Sequence, residues 1–129
     1  YWKGEKRAAI DFGVDTQTPR QRFRHMFATF MSFGIDNPKG LSFLENHHHV
    51  PYLDEESRRI SMQFVGRFTA FLQQMIAVQA IKSIHPSIHI AILHGGTIGL
   101  LEQIWHHGVE PSPPFLEQAE RSFWEAIRA

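Results

Sequence analysis

Apolar residues recur along this chain at the three- and four-residue steps of an α-helix, and seldom at the two-residue step of a strand. Phe23, Met26, Phe27, Phe30 and Gly34 mark one helical face. Ile60, Phe64, Phe68, Phe71 and Met75 mark another, in the longest such stretch, where Val65, Leu72 and Ile76 add a second apolar face. A helix apolar on two sides is expected to be central and contacted from both. The β-branched run from Ile88 to Ile92 also falls within a helix-spaced pattern.

Start signals cut this pattern into segments. Thr18-Pro19-Arg20-Gln21 combines a cap, a proline at the first helical position and a Gln three residues after the cap. Asn37-Pro38, His85-Pro86 and Ser112-Pro113 repeat the cap-then-proline signal. Asp54-Glu55-Glu56 offers a cap and two carboxylates suited to the positive end of a helix dipole. The expected fold is all-α, a bundle of about six helices near 1–12, 19–35, 38–49, 55–82, 86–107 and 113–128. Its connections are short, as between packed neighbours. No internal repeat, low-complexity tract or domain boundary interrupts it.

Composition narrows the function. A chain of 129 residues can bury a real core as one domain, and 43% hydrophobic with 20% charged residues is a globular balance. Lys plus Arg and Asp plus Glu each total 13, so the net charge is zero. The basic excess of a domain that grips nucleic acid by itself is absent. The densest basic run, Arg20, Arg22 and Arg24, is expected on a solvent face. The lack of cysteine excludes a disulfide framework and a thiolate metal site, and is compatible with a cytoplasmic protein. No apolar run reaches the roughly 18 residues of a membrane span. Tyr1 rather than Met begins the sequence, with no secretory pattern after it. Further sequence upstream is therefore expected.

Ala91, Gly95 and Gly99 fall on one stripe of the helix near 86–107, with Gly96 beside them. Each mid-helix glycine costs about 1 kcal/mol relative to alanine, so close packing should offset them. That packing is either a tight crossing within the subunit or the smooth face of a twofold dimer. In the last helix Leu116, Ala119, Phe123 and Ile127 form an apolar stripe adjoined by Trp124. This supports the dimer, with both C-terminal helices in its interface.

The nine histidines do not assemble into a metal site on paper. His47, His48 and His49 are consecutive and point about 100° apart on a helix. His85 and His89 share a helical face, whereas His94 lies off that line. His106 and His107 sit at a helix C-terminus, where the dipole favours a partly protonated ring. Glu45 and His48 form one Glu-x-x-His pair, but a di-iron bundle needs two. Capping, exposure or a buried hydrogen bond accounts for most of these side chains. Signatures of a metalloprotease, a nucleophile elbow, a phosphate loop and a dinucleotide fold are missing. No catalytic residue, metal ligand or cofactor is expected. The competing view is a small helical enzyme or a His-based metal-binding bundle, which would need three such side chains to converge.

Eleven phenylalanines leave a pocket as the other candidate. Phe43, Tyr52, Phe64, Phe68 and Phe71, with Met75, can line an apolar cavity, and His47, His94 and Thr97 can orient a ligand in it. The alternative is that the aromatics fill the core. The expected position is an elongated cavity between the helices near 19–35, 38–49, 55–82 and 86–107.

The stretch Phe43 to Arg58, FLENHHHVPYLDEESR, resembles the effector domain of TetR/AcrR-type transcriptional regulators. There, Phe-Leu-Glu, a His run and Pro-Tyr-Leu-Asp can join two helices around a ligand pocket. The glycine-bearing helix and the terminal segment from Ala119-Glu120 to Trp124 also fit that family's dimerisation pair. Tyr1 to Phe12 looks like the helix leading out of its DNA-binding head. The resemblance implies a homodimer that senses a small, mostly apolar effector and signals to a helix-turn-helix. That head is not in this sequence, so DNA would be reached only through it.

Overall fold

A computed structural model describes residues 12–14, 16–36 and 55–129. Among these residues there are four helices: α1 (Pro19–Asp36), α2 (Glu55–Ala77), α3 (Pro86–His106) and α4 (Pro113–Ile127). The all-α expectation holds for them. The helix expected near 38–49 lies outside the described residues. So does the one near 1–12, apart from Phe12, which is not helical.

The start signals act as their chemistry requires. At α1 the Thr18 hydroxyl accepts from the Gln21 backbone amide at 3.1 Å, and the Gln21 side-chain Oε1 accepts from the Thr18 backbone amide at 2.9 Å. This reciprocal box satisfies two backbone donors at once. His85 caps α3 by accepting the Ser87 amide at Nδ1, 3.1 Å away. Ser112 caps α4 by accepting the Phe115 amide at 3.3 Å.

The stretch expected to be helical over 55–82 stops at Ala77 instead. Gln79 takes a left-handed φ of 63°, and the Gln79 and Ala80 amides turn back to the Ile76 and Met75 carbonyls, both at 2.9 Å. Such crossed bonds close a helix end, usually around glycine. Here the next residues are held from outside. Ile81 forms an antiparallel bridge with Arg128, in which Lys82 donates its amide to Ile127 O at 2.8 Å. The Lys82 ammonium caps Ala126 O at 2.7 Å. The end of α4 therefore clamps the α2–α3 connection.

α3 packs against the other three helices, and α1 packs against α3 and α4. Among the described residues the central element is thus α3. On α2, Phe68, Phe71, Leu72 and Met75 are buried and Ile76 is half-buried, but Val65 is 47% exposed. The expected second face of α2 is therefore only partly covered among the described residues. α1 buries Phe23, Met26, Phe27, Phe30, Met31, Phe33 and Gly34. Gly34 is where α1 and α3 approach: a Cβ there would lie 2.5 Å from Leu101 Cδ1.

Two of the three arginines expected on a solvent face are tied down. Arg22 donates to Phe12 O at 3.0 Å and to Gln74 Oε1 at 3.1 Å, with its guanidinium over the Phe71 ring. Arg20 forms a two-pronged pair with Glu120, one prong at 2.8 Å, and lies over Trp124. Hydrogen bonding to Glu120 raises the Arg20 pKa above its ordinary value, against the opposing effect of burial. The pair is partly shielded and joins α1 to α4. Glu120→Ala is expected to lower stability by about 1–3 kcal/mol, between the values for exposed and fully buried pairs. Urea unfolding measures it, and a loss below about 0.5 kcal/mol would place the pair among solvated surface pairs.

Candidate functional site

Rings from α1 and α2 meet the polar side of α3 around a small void. Phe12, Met26, Phe27 and Phe30 close one side, and Phe64 and Phe68 the other. Leu93, His94 and Thr97 on α3 complete it. Phe64 stacks on both Phe30 and Phe68, with ring centroids 6.1 Å apart in each case. The volume is about 20 Å3, room for one water and no more.

Four of the nine residues expected around the pocket, Phe64, Phe68, His94 and Thr97, therefore come together here, whereas Met75 is buried in the core. Phe71 does not join them. It is buried one turn away, 5.3 Å from the Phe12 ring and beneath Arg22. Phe43, His47 and Tyr52 lie outside the described residues. The Thr97 hydroxyl is engaged by its own helix, with Leu93 O at 2.8 Å and His94 O at 3.0 Å. The half-buried His94 ring has no such partner among the described residues.

The residues expected at a subunit interface divide into two groups. Ala91, Gly95 and Gly99 are exposed, and a Cβ on Gly95 or Gly99 would meet nothing within 4 Å. Ile88 and Ile92, exposed on the same helix, extend this surface. The α4 residues also pack within the subunit. Ile127 is fully buried in the core. Phe123 packs on Phe27 and occupies the space a Gly96 Cβ would need, at 2.2 Å. Trp124 packs on Phe23, while Leu116 and Ala119 are half-buried against the core. Periodicity placed seven of them on two stripes, with Trp124 beside the second. It did not separate Gly96, the true close crossing, from Gly95 beside it.

A larger concavity lies where sequence reasoning placed none, between α1 and α4, with a volume of about 650 Å3. Phe27, Ala28, Met31, Ile35 and Leu116 form its floor, with Ser32 beside them. Its rim is charged: Arg20, Arg24 and Asp36 on α1, and Glu117, Glu120 and Arg121 on α4. The signal was indirect. Arg24 and Arg121 belong to separate helices, and only their packing brings them to one groove.

The histidines do not form a metal centre among the described residues. His85 is a cap. His89 is completely buried and donates Nε2–H to Lys82 O at 2.8 Å, which leaves Nδ1 unpartnered. The pair therefore does not face a common ligand. Among the described residues no helix is long and apolar enough to cross a membrane.

No curated protein matches the chain. A family model described as the tetracyclin repressor-like C-terminal domain matches residues 5–129. The match takes in the buried face of α1, the aromatic void and the α3 stripe together. The chain belongs to the family of tetracycline repressor-like C-terminal domains.

Proposed function

We propose that this chain is the effector-sensing and dimerising part of a transcriptional regulator, acting as a repressor in the cytoplasm. Membership of the family supports the regulator class. On this reading DNA is contacted by a helix-turn-helix head upstream of Tyr1, and the chain itself is not catalytic. Two subunits meet across α3. The observation that carries the dimer is the smooth, exposed stripe of Ala91, Gly95 and Gly99, flanked by Ile88 and Ile92. A twofold axis brings such a stripe onto its own copy. Half-buried Leu116, Ala119, Phe123 and Trp124 then support the interface from within the subunit, and Ile127 anchors α4 to the core.

The effector is small and mostly apolar, and it enters at the aromatic void. Phe64 and Phe68 supply contact area and His94 the orienting polar group. Phe43, His47 and Tyr52 are proposed to complete the wall, while Phe71 supports it from the core. A 20 Å3 void holds no effector as it stands. Binding therefore separates the rings and shifts the population toward an opened state. Differential affinity for the two states is what carries the signal to the head.

Sedimentation equilibrium tests the dimer: a dimer is expected at tens of micromolar, and a monomer there ends the reading. A thermal-shift screen of neutral hydrophobic compounds tests the sensor, since a ligand of the folded state raises the melting temperature by mass action. His94→Ala should reduce that shift and Phe68→Ala should abolish it.

A further inference from the structure

We propose that the groove between α1 and α4 is a second binding site, for a free monoanionic amphiphile: a carboxylate on an apolar chain of roughly ten carbons. The volume of about 650 Å3 falls within the range of small-molecule sites. Its floor is apolar, through Phe27, Met31, Ile35 and Leu116. Charge decides the class of occupant. Glu120 already neutralises Arg20. Arg24 from α1 and Arg121 from α4 have no ion-pair or hydrogen-bond partner among the described residues. Arg24 lies one turn from Arg20, and Arg121 follows Glu120 directly, so both stand beside the α1–α4 pair. A carboxylate held there gains charge-assisted hydrogen bonds from one or both guanidiniums.

The far end of the groove excludes a second negative charge. Asp36 is twelve residues beyond Arg24 on α1, about 18 Å along the axis, and lines the groove there. A chain of about ten carbons covers the floor from the arginines toward that end. Dicarboxylates are disfavoured because their second group meets the Asp36 carboxylate. The concave shape, bounded by helices on both sides, suits a single chain and not a membrane surface. Phe27 belongs to both this floor and the aromatic void, so the two sites adjoin without sharing their polar groups.

Titration calorimetry of the 129-residue chain with decanoate, decanol, decylamine and decanedioate tests the proposal. Decanoate should bind saturably with one site per chain. Decanol should bind at least about tenfold more weakly, as loss of a charge-assisted hydrogen bond implies. Decanedioate should bind more weakly than decanoate, and vesicles of anionic phospholipid should not retain the chain. Decylamine binding as tight as that of decanoate would assign the head group to the Asp36 and Glu117 carboxylates and overturn the anion site. Arg24→Gln and Arg121→Gln, both at exposed and unpaired positions, should each weaken decanoate about tenfold and leave decanol unchanged. Leu116→Trp, which adds bulk to the floor, should remove decanoate binding. Equal binding of decanoate and decanol, or indifference to both arginine substitutions, overturns the site. Decanoate binding that survives Leu116→Trp but disappears in Phe68→Ala moves the ligand to the aromatic void. That outcome overturns the groove and leaves the effector reading standing. Loss of the neutral-compound thermal shift, with decanoate binding intact, does the reverse.

Discussion

Gly96→Leu is expected to destabilise the subunit severely, while Gly95→Leu, one residue earlier, is expected not to. A Cβ at Gly96 would lie 2.2 Å from the Phe123 ring. That ring is held in turn against Phe27, with centroids 5.7 Å apart, so it has little room to retreat. Overpacking of this kind costs about 1–3 kcal/mol and more when the backbone must move. The gain of roughly 1 kcal/mol from replacing a helical glycine offsets only part of it. At Gly95 the same gain meets no opposing contact within the subunit. Urea unfolding at a concentration where the chain is monomeric should therefore show Gly95→Leu level with wild type or above it. Sedimentation at higher concentration should show the same variant losing the dimer. If Gly95→Leu dimerises like wild type, the α3 stripe is not the interface. If Gly96→Leu unfolds like wild type, the α3–α4 contact is looser than the structure shows.

Leu101→Ala is expected to cost about 2–5 kcal/mol, the usual range for a leucine removed from a packed core. Leu101 is completely buried and faces Gly34 across the α1–α3 crossing. The two positions should be strongly coupled. Gly34→Ala alone forces its Cβ against Leu101 Cδ1, whereas in the Leu101→Ala background the same change fills vacated space and gains helix propensity. A double-mutant cycle should give a coupling of about 1–3 kcal/mol. Additive losses would mean that α1 and α3 do not depend on this contact for their approach.

Local chemistry is why so much of the fold could be read in advance. A cap and the proline after it act within one turn, so the starts at Pro19, Pro86 and Pro113 were legible residue by residue. The apolar face of α1 was equally plain, because its buried positions from Phe23 to Gly34 repeat one helical step. The end of α2 was not. Nothing between Ala77 and Lys82 is a glycine or proline, and the apolar spacing continues through Ile81. The helix stops there with the help of Arg128, far along the chain, which pairs with Ile81.

The candidate sites divide in the same way. The amino-acid sequence by itself determined that the chain is helical, where its helices begin, which faces carry its aromatics, and its resemblance to the family it belongs to. These follow from spacing, capping and composition, which are properties of neighbours along the chain. Only the tertiary structure decided that Phe64, Phe68, His94 and Thr97 share a void while Phe71 lies behind it. It alone assigned Gly96 to a crossing and left Gly95 in the open, and it alone brought Arg24 and Arg121 to one groove. A rotation of about 100° per residue makes adjacent positions on a helix face different neighbours. Which neighbour stands there depends on how helices distant in sequence pack, and no local pattern encodes that.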